Sequence, residues 1–226
     1  MKLIRLPSEF DASYTPARGP ALLLSCMDLR FMDEIIMFMD HDGLTNRYDH
    51  VTLAGSALGA LGGDAKYGPP DKKTKTPATF PCLTGSFFAH LDWAYQLHHI
   101  KDVYVIEHRD CGAYGLMLQA EGKFPPAPPA DPAADREADV HGRYAGRLQK
   151  LIVQWVAHKK AEDAAKYKDL DLGFHSFLMG LRGEVSVLPP VDDEPPSPAP
   201  TWGSCSPTAT TPEIAVIPPV KRKVKA

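Results

Sequence analysis

Val103-Tyr104-Val105-Ile106-Glu107-His108-Arg109-Asp110-Cys111-Gly112 begins as an apolar, β-branched run and ends in two metal-ligand residue types followed by a glycine. The run predicts a buried β-strand. His108 and Cys111 are spaced so that one turn at the strand's end can aim an imidazole and a thiolate at the same point. Far upstream, Ala21-Leu22-Leu23-Leu24-Ser25 has the same build and ends in Cys26-Met27-Asp28-Leu29-Arg30. If the two strands lie side by side in a parallel sheet, Cys26, His108 and Cys111 converge at its carboxyl edge, where open α/β sheets place their sites. Two sulfurs and one nitrogen leave a tetrahedral zinc one ligand short of closed, which is the catalytic pattern and not the structural one.

Outward from these two strands, the chain alternates between strand and helix patterns. Phe31 to Asp40 reads as a helix stopped by Asp42-Gly43, and His50 to Gly55 as a strand. Small residues follow from Ser56 to Gly63 and would let backbone approach the site or a neighbouring subunit closely. The Gly-, Pro-, Lys- and Thr-rich stretch from Gly62 to Pro81 predicts a long surface loop. Thr84 can cap a helix that runs to about His98, with Phe87, Phe88, Leu91 and Tyr95 on its apolar side. After the central strand, Gly112 to Ala120 predicts a helix, Phe124 to Pro132 a proline-rich connection, and Asp135 to about Tyr167 a long helix. Leu170 to Met179 and Glu184 to Leu188 then read as a strand that turns back into another. The expected fold class is α/β: a central parallel sheet of about four strands with an antiparallel edge strand, flanked by helices. Residues 1–20 are expected to be an arm, 21–188 the zinc domain and 189–226 a flexible tail. That tail holds ten prolines and ends in Lys221-Arg222-Lys223-Val224-Lys225.

A chain of 226 residues fits one domain with extensions. Its net charge of −3 gives no general electrostatic reason to bind nucleic acid. The four cysteines, Cys26, Cys82, Cys111 and Cys205, are too few and too scattered for a disulfide framework. The first residues carry charge with no long apolar segment behind them, and no run approaches the roughly 18 apolar residues of a membrane span. A cytoplasmic protein in a reducing compartment is therefore expected, and there thiolates more often hold metal than each other.

At the two strand ends the sequence resembles the β-class carbonic anhydrases. Their paired motifs, Cys-X-Asp-X-Arg and His-X-X-Cys followed by Gly, stand here as Cys26-Met27-Asp28-Leu29-Arg30 and His108-Arg109-Asp110-Cys111-Gly112. The resemblance spans about Ala21 to Leu188. It implies Zn2+ held by Cys26, His108 and Cys111, with Asp28 and Arg30 as a catalytic dyad beside it. The implied activity is the reversible hydration of CO₂ to bicarbonate by a zinc-bound hydroxide. It also implies a homodimer or higher homo-oligomer with active sites near the subunit interface. In that family, loss of the Asp–Arg pair lets the Asp become the fourth ligand. The chain departs from the pattern at Leu29, where Ser is common, and at Thr52-Leu53-Ala54-Gly55-Ser56, which keeps only Ala54 and Gly55 of an Arg-Asn-Ala-Gly-Asn segment. Glu107 stands where glycine or histidine is usual, and a common substrate-side glutamine has no match.

Plainer roles are expected for the other conspicuous residues. Cys82 and Cys205 read as bystanders, Tyr114 as core, and the helix ending at His98 as core or dimer interface. His41, His50, His98 and His99 read as ordinary surface or helix-end imidazoles and not as proton shuttles. Two other functions stay open on the sequence alone. One is a zinc hydrolase of carbonyl sulfide or carbon disulfide on the same fold. The other is a non-catalytic zinc or scaffold protein whose proline-rich tail docks a partner.

Overall fold

The structure is a computed structural model that describes residues 17–68, 79–125 and 135–191. Most of the expected arm, the centre of the 62–81 loop, most of the proline-rich connection and the tail from residue 192, with Cys205, lie outside the described residues.

Five strands form one sheet: β1 (Ala21–Ser25), β2 (Tyr48–Thr52), β3 (Asp102–His108), β4 (Gly173–Met179) and β5 (Val185–Val187), in the spatial order β2-β1-β3-β4-β5. The first four are parallel and β5 closes the edge antiparallel to β4, as the strand pattern predicts. Every residue of β1 and β3 is buried, which is why both read as unbroken apolar runs.

The helices are α1 (Met32–His41), α2 (Ser56–Ala60), α3 (Pro81–His98), α4 (Gly112–Leu118) and α5 (Arg136–Glu162). Alternation along the strands divides their side chains between two cores. Leu22, Leu24, Val103 and Val105 pack with Phe87, Phe88 and Leu91 of α3 and with Leu148, Ile152 and Trp155 of α5. On the opposite face, Leu23, Tyr104, Ile106 and Phe177 meet Ile35, Phe38 and Met39 of α1. Burying all three large α5 side chains and their partners removes apolar area from water at about 25 cal/mol per Å².

Several boundaries differ from the sequence reading for identifiable reasons. β2 starts and ends earlier than expected, because Ala21 pairs with Tyr48 and Ser25 with Thr52. α3 begins at Pro81 and not Thr84: proline fits the first turn, where its missing N–H has no intrahelical partner. α4 stops at Leu118 and a 3-10 turn covers Gln119–Gly122. α5 ends at Glu162, and Tyr167 instead turns in to stack on Tyr95 of α3, with ring centroids 5.7 Å apart. The segment after β5 returns across α5 at two glycines, Gly142 and Gly146. A Cβ at Gly146 would sit 2.5 Å from the Val191 carbonyl oxygen, so the close crossing requires glycine there.

The strand order places the chain's reversal between β1 and β3. From β1 the chain moves to one side for β2, then crosses to the other side for β3. In open α/β sheets the carboxyl ends at such a reversal flank a crevice that ligands use. Cys26 immediately follows β1, and His108 is the last residue of β3.

Candidate metal centre

Register brings the three predicted ligands together. Ser25 pairs with Ile106, so Cys26 leaves the sheet level with Glu107, one residue short of His108. The turn after β3 then folds Cys111 back beneath it, at the N-cap of α4. The potential ligand atoms of Cys26, His108 and Cys111 all lie within 4.8 Å of one another, and all three residues are buried. They are the one such group of three among the described residues.

The donor set fits a tetrahedral metal on three counts. The two Sγ atoms are 3.9 Å apart, far beyond a disulfide's roughly 2.05 Å and close to the about 3.8 Å that separates two thiolates sharing one zinc. His108 donates its Nδ1–H to the Arg109 carbonyl at 2.9 Å, which leaves the Nε2 lone pair facing the sulfurs. That Nε2 is buried without a hydrogen-bond partner, a costly arrangement that a metal would relieve. Phe31 packs its ring on the imidazole, with centroids 4.5 Å apart, and restricts how the ring can turn.

Charge is distributed to favour thiolate. Cys26 is held below the ordinary thiol range, first by the hydrogen bond from the Cys111 thiol and further by His108 and the Gly55 N–H, against the opposing effect of burial. Cys111 is correspondingly pushed up by that shared proton and by burial. The Gly55 N–H points at Cys26 Sγ across 3.3 Å. Gly55 has φ of 79°, a left-handed conformation that glycine adopts without a Cβ clash, and it turns the chain into α2. The small residues after it form that helix, entirely buried. The close backbone approach to Cys26 is thus made by Gly55, just before the Ser56–Gly63 segment for which it was expected.

Asp28 and Arg30 also lie where the motif predicts. Arg30 grips the carboxylate with two side-chain nitrogens, Nε to Oδ1 at 3.0 Å and Nη2 to Oδ2 at 2.8 Å, and its backbone N–H reaches Oδ1 at 3.0 Å. Those hydrogen bonds hold the Asp28 carboxyl below its ordinary range, although partial burial works the other way. Asp28 Oδ2 stops 3.9 Å from His108 Nε2. The pair therefore borders the Cys26–His108–Cys111 cluster with its carboxylate engaged by Arg30.

Other residues complete the neighbourhood that motif reading alone misses. Glu107 is fully buried, and accepts from the Ala57 N–H at 2.9 Å and from His141 Nδ1 at 2.8 Å. Glu137, at the start of α5, accepts from the Asp110 N–H at 2.7 Å and from Arg109 at 3.0 Å. Glu107 could be noticed as a departure from the family pattern, whereas nothing in the sequence flags His141 or Glu137. Tyr114 is core as expected, Cys82 is exposed, and His98 pairs with Asp49 at 2.7 Å, away from the ligand cluster. No helix among the described residues is long and apolar enough to cross a membrane.

No protein-family model matches the chain. An uncharacterised protein of Rickettsia conorii is 26% identical over 187 residues, covering 83% of this chain and 81% of that one. An uncharacterised protein of Rickettsia bellii is 24% identical over 187 residues, covering 83% and 92%. Among solved structures, a β-carbonic anhydrase of Aspergillus fumigatus is similar at 14% identity and a TM-score of 0.37, covering 78% of each chain. A β-carbonic anhydrase of Trichomonas vaginalis is similar at 14% identity and a TM-score of 0.34, covering 78% of this chain and 87% of that one.

Proposed function

We propose that the chain is a zinc lyase that interconverts CO₂ and bicarbonate, with Cys26, His108 and Cys111 holding the metal and Asp28 and Arg30 serving the reaction. One observation carries the reading: the unpartnered His108 Nε2 faces two thiol sulfurs 3.9 Å apart, beside a carboxylate that Arg30 keeps engaged. Zinc, when bound, supplies a Lewis acid that brings deprotonation of water into the neutral range.

The chain's own residues do the rest. Two thiolates would offset the charge of a bound zinc and leave it a weaker Lewis acid than an all-histidine site would, so activity is expected to rise toward alkaline pH. Asp28, with its carboxylate held beside the three candidate ligands, would accept a hydrogen bond from the attacking water and orient it toward the carbon of CO₂. Arg30 limits the carboxylate's motion by bidentate contact.

We further propose a homo-oligomer. Met27, Leu29, Ile36 and Met37 stand exposed on the motif loop and α1, offering apolar surface that association would remove from water.

The test is stopped-flow CO₂ hydration from about pH 6.5 to 9 on protein of assayed zinc content. One zinc per chain with turnover that rises with pH is the expected result. One zinc per chain with no turnover at any of these pH values refutes the lyase reading and directs the same assay to carbonyl sulfide and carbon disulfide.

A further inference from the structure

The turn between His108 and Cys111 is gripped from outside the ligand set. Asp110 has φ of 55°, a left-handed conformation that Asp and Asn tolerate better than most residues. Its N–H is taken by Glu137 Oε1 at 2.7 Å. The neighbouring Arg109 guanidinium is clamped by Glu137 Oε2 at 3.0 Å and by both carboxylate oxygens of Asp135. Asp135 and Glu137 are buried at the N-terminus of α5, so the turn is fixed to a long, well-packed helix.

The fixed turn presents two oxygens to Arg30. Nη1 of Arg30 donates to Asp110 Oδ2 at 3.0 Å, and Nη2 donates to the Asp110 carbonyl at 3.0 Å. The opposite edge of the same guanidinium holds Asp28. Four of its five N–H groups are thus divided between two acidic residues, and the plane of the group cannot turn without breaking one set. We propose that Asp110 is a positioning residue: anchored by Glu137, it fixes the Arg30 guanidinium and thereby keeps Asp28 off the fourth metal position. This role rests on the metal centre proposed above, but not on the identity of the substrate.

Competition is the alternative consequence of the same contacts, because a second carboxylate on Arg30 could loosen its hold on Asp28. The two have opposite signs in one experiment. Cobalt(II) is loaded into the full chain, and azide is titrated at one fixed pH by visible absorption. Asp110→Asn keeps the left-handed turn and the carbonyl while removing the charge. The contact is partly exposed, so azide affinity is expected to fall by about fivefold as Asp28 competes for the open position. In an Asp28→Ala background the same substitution is expected to change azide affinity by less than about twofold. Glu137→Ala, which frees the turn from α5, is expected to lower azide affinity in the same direction.

Unchanged affinity in Asp110→Asn, a rise, or an equal fall in both backgrounds would overturn the positioning role. A chain that takes up no cobalt would refute the metal centre, and this role with it. Azide reports on coordination and not turnover, so a protein inactive on CO₂ that still shows the coupling would refute only the lyase reading.

Discussion

Replacing Glu107 by alanine should destabilise the protein by about 4 kcal/mol, although the residue ligates nothing. Glu107 is completely buried and its two oxygens serve two donors, the Ala57 N–H at 2.9 Å and His141 Nδ1 at 2.8 Å. His141 is itself completely buried and its Nε2 has no hydrogen-bond partner. Removing the carboxylate leaves that imidazole without a partner at either nitrogen. It also strands a first-turn N–H of α2, which has no intrahelical acceptor and no access to water. Each stranded buried donor costs about 1–3 kcal/mol, and breaking a buried carboxylate–imidazole pair from one side costs about 3–5 kcal/mol. Against a typical total stability of about 5–15 kcal/mol this is a large fraction. Urea unfolding followed by far-ultraviolet circular dichroism measures it directly, provided the slope is unchanged. Glu107→Gln keeps an oxygen for one of the two donors and should cost about 1–2 kcal/mol. Because α2 starts at the Gly55 turn that touches Cys26, Glu107→Ala should also release zinc to a competing chelator more readily. A Glu107→Ala protein within about 1 kcal/mol of the parent would refute the assignment of Glu107 as the internal anchor of this region.

Three further outcomes are expected. Cys26→Ser, His108→Ala or Cys111→Ser should lose zinc, measured by elemental analysis, together with the stability the metal adds; Asp28→Ala should keep its zinc and lose about a hundredfold in CO₂ hydration. Asp102, at the opposite end of β3, resists burial's upward push on its carboxyl through hydrogen bonds from His175 and Arg18, which hold it below the ordinary range. A depressed folded value contributes stability above the unfolded value of about 3.9 and loses it as pH falls through the folded value. Asp102→Asn should therefore cost about 1–2 kcal/mol at neutral pH, with the gap from the parent closing in urea titrations below about pH 4 and zinc content unchanged. Light scattering should give a mass of two chains or more, and Leu29→Glu should lower it; a monomeric parent would refute the proposed assembly.

How far the fold could be read in advance depended on how strands and helices are buried. β1 and β3 are covered on both faces, and such strands announce themselves as continuous apolar runs. β2 is an edge strand in which no residue from Tyr48 to Thr52 is fully buried. Its weak pattern let Leu53, Ala54 and Gly55 pass for strand when they form the turn into α2. That helix was invisible for a different reason. Ser56-Ala57-Leu58-Gly59-Ala60 has glycine in its interior and too few residues to be helical alone. It forms because the Ala57 N–H meets the Glu107 carboxylate and its small side chains pack against β3 and the helices around it.

The site shows the same division between local and distant information. The candidate ligands are legible because Cys26 and His108 sit at the ends of readable strands and Cys111 one turn beyond, and the Asp28–Arg30 contact is legible because it is local. What braces those ligands comes from α5, whose pattern of Leu148, Leu151, Ile152 and Trp155 advertises only a core-facing helix. Glu137 and His141 are four residues apart, so they share one face of that helix near its start. Glu137 grips Asp110 and Arg109, just after His108, while His141 grips Glu107, just before it. One helical face therefore clamps the strand end on both sides of the histidine, leaving the imidazole little freedom except to face the two sulfurs. A charged residue inside a helix is ordinarily read as solvated surface, and no spacing rule ties it to a strand about 30 residues earlier. That clamp also accounts for Glu107, one of the chain's departures from the family pattern: its carboxylate is engaged by His141 and Ala57.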